Sequence, residues 1–276
     1  MLPMPDFEVN KLLASVSAQF CQDHGPYLQS SESSDEAEQR VVRQFIEALL
    51  YEEIVAWDKT SCKEMLSELG QYESVYDSLL TFRLSGVAFR CAGAIRIFER
   101  VRIAEGSVQC FVNDGYQEAR LQDVICNLET TISAKERLLG ELMQTIALCR
   151  WNTEHLKHHL SPRRTLGFSE LESAITEGHL YHPSFKARTG FTLADNENYG
   201  PEAARPFQFL WLAVKVGQIE TSFPTQDLEF WKTELGESTF DELTRRLTMQ
   251  GESWSTRSLL PIHPWQIDAI QDRGLA

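Results

Sequence analysis

The 276-residue chain is 42% hydrophobic and 24% charged, the proportions of a soluble globular protein with a sizeable core. Its net charge of −14 argues against general nucleic-acid binding, which needs clustered Lys and Arg, but leaves room for a local basic pocket that takes a small anion. No apolar run is long enough to span a bilayer, the N-terminus lacks the basic and apolar regions of a signal peptide, and six cysteines without a CxxC pair fit reduced thiols, so a cytoplasmic protein is expected.

The spacing predicts a short helix over 7–20 and a Ser- and acid-rich loop over 29–35. Val41, Val42, Phe45, Ile46, Leu49, Leu50 and Ile54 then recur at helical spacing on one face, with Glu36, Glu38 and Arg40 at solvent-side positions. A shorter helical segment is expected over about 61–69. From about residue 80 the period changes to two. Thr81 to Arg90 is rich in β-formers. Ile95, Ile97, Val101 and Ile103 alternate with Arg96, Phe98, Arg100 and Arg102, which reads as one half-buried strand with a basic outer face. Ala104 to Ser107 is expected to turn, with Val108, Cys110 and Val112 on the return strand. Residues 80–113 thus read as a small antiparallel meander. Its arginines suit either an anion or a solvated strand face.

Helix resumes after Tyr116, with Leu121, Val124, Ile125 and Leu128 as one stripe. Ser133 and Glu136 have capping-box spacing, at the start of a helix that buries Leu138, Leu139, Leu142, Met143 and Ile146. Ser161-Pro162 breaks the pattern, and Ser169 with Glu172 opens a short helix that ends near Gly178. Residues 207–216 are a buried strand or helix, between which periodicity does not decide. Residues 217–257 are polar and acidic with helical pieces such as Phe240 to Met249. The expected class is α+β: a helical N-terminal region with the meander over 1–160, then the start of a second, mixed α/β region over 161–276.

The chemistry-bearing span runs from Glu177 to Pro201. Lys186 and Arg188 sit two apart, so on an extended chain they point the same way. A Lys as a point charge, an Arg as a planar two-pronged donor, a His and a glycine are what a phosphate or carboxylate site uses. Gly190 allows a sharp turn or a close backbone approach. The alternative is a surface pair beside a turn at His182-Pro183. His155, His158 and His159 on a helix, and His179 with His182, have offsets that zinc sites use, but without HExxH or paired Cys no metal site is expected, and His155 to His159 read as helix C-terminal residues. There is no GxSxG, P-loop or GxGxxG. His263-Pro-Trp-Gln266 reads as a pocket lining or as a turn anchored by Trp265.

EGHLYHPSFKARTGF, DNENYGPE, the WLAV segment and LPIHPWQ together resemble the IucA/IucC family, siderophore synthetases that work independently of nonribosomal peptide synthetases. Upstream, the IEALLYE helix, the FRCAG meander and the RLLGELMQT helix carry the similarity over most of the chain. Leu180 stands where this family usually has Pro, and Ala203 where it usually has an aromatic.

The resemblance implies a thumb-like region followed by part of a fingers-like region, without the C-terminal palm-like domain of longer members. Such a chain is expected to expose apolar surface. It further implies ATP-dependent condensation of a carboxylic acid, typically citrate or a citrate derivative, with an amine, hydroxylamine or alcohol through an acyl-adenylate. ATP and Mg2+ are the implied cofactors, and full-length relatives imply a homodimer with no nucleic-acid or membrane partner. By position in the motif, His182, Lys186 and Arg188 would contact phosphate or carboxylate, and Gly190 would permit close approach. His179, Thr189, His263 and Gln266 complete the pocket candidates, and no residue is assigned as catalytic. The other reading is a non-catalytic binding or assembly module of the same fold.

Overall fold

A computed structural model describes residues 33–61, 66, 68–69, 72–155, 167–175, 178–179, 182–218, 220 and 228–267. The expected helix over 7–20, most of the segment over 61–69, and His158, His159 and Pro162 lie outside them. The chain divides into two compact units, Met1–Arg205 and Pro206–Ala276.

The first unit opens with α1 (Ser33–Tyr51), whose stripe from Val41 to Leu50 is buried as the spacing predicts. Ile54 is not part of it. The helix stops at Tyr51, Glu53 takes a left-handed turn at φ 53°, and Ile54 is 66% exposed.

A fully antiparallel sheet follows. It comprises β1 (Trp57–Thr60), β2 (Ser78–Leu84), β3 (Val87–Ile95), β4 (Val101–Ile103), β5 (Gln109–Val112) and β6 (Gly115–Glu118). The order is β1-β2-β3-β5-β6, with β4 also paired to β3. Alternation along β2 sends Leu80, Phe82 and Leu84 into the main core, while Leu79 faces a smaller cluster with Ala92 and Ala104. Phe82 lies directly opposite Phe89, and the two rings stack at 5.3 Å.

The meander is present, but its connectivity corrects the expectation. The strand read through 95–103 is broken. Phe98 (φ 62°) and Glu99 (φ 58°) are left-handed, and Ile97 and Phe98 point to solvent. The alternation itself falters at these two residues, with an acid at 99 in the apolar register and an aromatic at 98 among the arginines. Nor are β4 and β5 hairpin partners. β4 pairs with Gly93–Ile95 and β5 with Phe89–Arg90, so they lie end to end along one edge of β3. Ser107 fills the gap between them: its buried Oγ accepts from Ala92 N and donates to Ala104 O.

Two helices complete the core, α2 (Leu121–Cys126) and α3 (Ile132–His155). The cap of α3 is Thr131, whose Oγ1 accepts from Ala134 N at 3.3 Å; Ser133 sits inside the first turn. Likewise α4 (Phe168–Ser173) starts at Gly167, whose N–H donates to Glu170 Oε2 at 2.8 Å. Leu139, Leu142, Ile146 and Cys149 of α3 join α1 and the sheet. The opposite side of α3 faces the chemistry-bearing span. The unit ends with α5 (Leu193–Tyr199) and a 3-10 turn, Pro201–Ala203.

In the second unit β7 (Leu210–Lys215) pairs antiparallel with β8 (Arg257–Ile262), which decides the ambiguous segment as a strand. Leu210, Trp211 and Leu212 stay substantially exposed rather than buried, because a two-stranded ribbon offers two faces and one small helical layer. That layer is α6 (Leu228–Leu235) and α7 (Glu237–Met249), with Trp231, Phe240 and Leu259 as its core. No helix among the described residues is long and apolar enough to cross a membrane.

Candidate functional site

One side of α3 carries Glu141, Gln144, Leu148 and Trp151, residues three or four apart that share a face. Each holds a piece of residues 182–199. Gln144 Oε1 accepts from Arg188 N at 2.8 Å, and its Nε2 donates to Arg188 O at 3.2 Å and Phe191 O at 2.8 Å. One amide thus clamps both ends of the 188–191 loop. Gly190 turns the loop at φ +86°, a conformation that a side chain resists. Leu148 packs with Ala147 against Leu193 of α5, and Trp151 Nε1 donates to Glu197 Oε1 at 3.0 Å. Thr192 caps α5 by accepting from Asp195 N, and Asp195 accepts in return from Thr192 N.

Residues 183–186 form a turn, with Ala187 N donating to Ser184 O, and not the extended chain assumed for the Lys-Arg pair. The two cations nevertheless converge, on a residue that the spacing does not single out. Lys186 Nζ donates to Glu202 Oε1 at 3.1 Å, and Arg188 Nη2 donates to Glu202 Oε2 at 2.7 Å. Lys186 is 5% exposed and Glu202 2%. The 3-10 turn brings Glu202 there. Before it, Gly200 lies so close to α5 that a Cβ would sit 2.5 Å from Asn196 O. Burial works to raise the Glu202 carboxyl, but its own backbone amide, the Lys186 charge and the Arg188 hydrogen bond outweigh it and hold the carboxyl below the usual range.

Two cations share one carboxylate, so the cluster keeps an excess of positive charge. Of the two, Lys186 is enclosed, whereas the Arg188 side chain is 24% exposed. Arg188 Nη1 is buried with no hydrogen-bond partner among the described residues, and so are both amide atoms of Asn196. A guanidinium arm in that state is ready to donate to an anion.

Ahead of the turn, His182 Nδ1 lies 3.2 Å from Ser184 Oγ, and Ser184 Oγ donates to Glu141 Oε2 at 3.1 Å. His182, His179, Thr189 and Gly190 are exposed. His155 closes α3 as expected of a helix C-terminal histidine, with its ring stacked on Trp151 and Nδ1 bonded to Trp151 O. Among the described residues no group of three or more His, Cys, Asp or Glu is placed to hold a metal ion.

In the second unit, His263-Pro-Trp-Gln266 opens a helical turn. Gln266 Oε1 accepts from His263 N, and His263 Nδ1 accepts from Trp265 N. The His263 ring packs at 4.5 Å from Phe207 and 6.5 Å from Phe209. Glu141, Gln144, Ser184 and Glu202 are the site residues that spacing missed. Ser184 and Glu202 lie within the motif strings and Glu141 and Gln144 within RLLGELMQT, but spacing does not link the latter two to the groups they hold, 43 and 44 positions on.

Residues 167–276 match the model of the IucA / IucC family. Over 277 aligned residues the chain is 30% identical to the citryl-spermidine/3,4-dihydroxybenzoyl-citryl-spermidine:spermidine ligase of Bacillus anthracis, which covers 91% of this chain and 43% of that one. Its fold is similar to that of the petrobactin biosynthesis protein AsbB from Bacillus anthracis str. Sterne, with TM-score 0.67 and 25% identity over 98% of this chain and 43% of the other. The ATP-bound aerobactin synthetase IucA from a hypervirulent pathotype of Klebsiella pneumoniae has the same fold, with TM-score 0.56 and 18% identity over 89% of this chain and 43% of the other. The chain therefore spans less than half the length of these relatives.

Proposed function

We propose, from the premise that residues 167–276 belong to the IucA / IucC family, that this chain contributes to an ATP-dependent ligase of siderophore biosynthesis. The reaction condenses citrate or a citrate derivative with an amine, hydroxylamine or alcohol. The observation that carries the reading is the Lys186–Glu202–Arg188 cluster, with its excess positive charge and a buried Arg188 Nη1 that lacks a partner among the described residues. The ATP-bound relative of the same fold supports a nucleotide as one of the anions.

In the first step a carboxylate oxygen attacks the α-phosphorus of ATP, and pyrophosphate leaves. In the second a nitrogen or oxygen nucleophile attacks the acyl carbon, loses its proton, and AMP leaves. Both reactants of the first step are anions, so preorganised positive charge offsets their repulsion and the charge that develops at phosphorus. Arg188 meets the phosphate or carboxylate through Nη1. Lys186 acts through its field and holds Glu202, which fixes the guanidinium plane. His182 supplies a ring nitrogen to the ligand, and Gly190 keeps the loop backbone free of a side chain. Magnesium, when bound with the polyphosphate, would supply further positive charge against its oxygens. Cys91, Cys110, Cys126 and Cys149 form no disulfide among the described residues, which is consistent with a cytoplasmic enzyme.

The test is carboxylate-dependent exchange of labelled pyrophosphate into ATP. Exchange that requires citrate or a derivative supports the adenylate. Exchange indifferent to any carboxylic acid, or absent with all of them, contradicts it.

A further inference from the structure

We propose that Ser184 and Glu141 are positioning residues that hold the proton of the His182 imidazole on Nδ1, so that Nε2 is the nitrogen left for the ligand. The proposal deepens the reading of His182 as a ligand-contacting residue and rests on that reading only for what the ring does, not for how it is held.

The available hydrogens fix the direction of each bond. Ser184 Oγ carries one, and it goes to Glu141 Oε2 at 3.1 Å, an acceptor with no proton to return. Ser184 Oγ is also 3.2 Å from His182 Nδ1. With its hydrogen committed to the carboxylate, the hydroxyl can only accept there, so Nδ1 must donate. A neutral ring then has a bare Nε2, and a protonated ring presents Nε2–H. The bond made by one ring nitrogen decides the state of the other. Nδ1–H is the minority form of a free imidazole side chain, so the chain Glu141–Ser184–His182 imposes a form that the ring does not choose by itself. Ser184 is buried between the exposed His182 and α3, which keeps solvent from substituting for it.

The contrast within the same molecule sharpens this. His263 Nδ1 accepts from Trp265 N at 3.2 Å, which puts its neutral-ring proton on Nε2. Two histidines, each followed by proline, are thus set to opposite tautomers by their neighbours. A phosphate or carboxylate oxygen has no hydrogen to give a bare Nε2. Toward such a ligand only the doubly protonated ring donates, through Nε2–H, while Nδ1–H stays on Ser184 and the Glu141 carboxylate lies one hydrogen bond further on.

Two-bond 1H–15N correlation spectra of the full chain, labelled with 15N-histidine at alkaline pH, read the tautomer of each of the seven histidines. His182 is assigned from the signal lost in His182→Gln, and His263 is the internal control. We expect a pyrrole-type Nδ1 and a pyridine-type Nε2 at His182. Ser184→Ala should move His182 to the common Nε2–H form, and Ser184→Thr should keep the parent pattern. Glu141→Gln should also move it, because the amide can donate to Ser184 and free the hydroxyl hydrogen for Nδ1. A parent His182 protonated on Nε2 overturns the proposal, as does a pattern unchanged in both Ser184→Ala and Glu141→Gln. No nucleotide is present, so the outcome is independent of the proposed activity. If the tautomer shifts in Ser184→Ala while ATP affinity does not, the positioning role stands and the ligand role of His182 falls.

Discussion

Arg188 donates to Glu202 through Nη2 at 2.7 Å, and its Nη1 stays buried without a partner among the described residues. Glu202 is therefore the hinge of the site's electrostatics, because it gathers both cations and satisfies only part of their donor capacity. Removing it should unbalance one enclosed and one partly exposed positive charge. Glu202→Gln is expected to lower unfolding free energy by about 3–5 kcal/mol, the usual result of breaking a buried pair from one side. Urea unfolding measures this, and Glu202→Gln with Lys186→Met should cost less than the two singly. Strict additivity would mean that the pair is not coupled.

The two buried glutamates of the first unit should respond to acid with opposite signs. Glu202 is held below the ordinary value of 4.5, so its stabilisation is complete above 4.5 and is lost as pH falls through the lower folded value. Glu47 of α1 is fully buried, and burial raises its carboxyl despite the Ile103 amide and the charges of Arg43 and Arg102. Its ionisation costs stability above the raised folded value, and that cost is relieved as pH falls through it. Thermal melts over acidic pH should show Glu202→Gln with a flatter decline than the parent and Glu47→Gln with a steeper one. Parallel curves would contradict both assignments.

Gln144 is expected to set the order of the 188–191 loop. Gln144→Ala leaves Arg188 N, Arg188 O and Phe191 O without that side chain, at a cost of about 1–3 kcal/mol. The local signature is faster amide exchange at Arg188, with exchange in β2 and β3 slowed or quickened only as far as global stability changes. Unaltered exchange at Arg188 would remove Gln144 from the account.

Gly190 should tolerate little. At φ +86° an Ala side chain meets its own backbone, and Gly190→Ala should cost about 1–2 kcal/mol. Gly190→Asn should cost less, since Asn visits the left-handed region more readily. Equal losses by chemical denaturation would place the cost in a steric contact instead of the backbone angle.

The helices were legible because their information is local. The stripe of α1 and the buried face of α3 follow from spacing alone. The break at Phe98 and Glu99 was not read, although both depart from the alternation, an aromatic on the basic side and an acid on the apolar side; the end-to-end pairing of β4 and β5 on β3 makes it plain. The segment 207–216 needed its partner β8, some fifty residues on, to become a strand. In the site, Lys186 and Arg188 were legible as a cationic pair by residue type. The counter-ion Glu202 and the clamp Gln144 were not, because what brings them there is the packing of α5 and the loop on α3.

The most direct test of the central claim is calorimetric titration of ATP with magnesium into the full chain and into Arg188→Lys. The account predicts that the parent binds, and that Arg188→Lys, which keeps the charge but loses the second arm of the fork, binds roughly tenfold more weakly or worse. Equal affinities, or a parent that does not bind ATP, would contradict it.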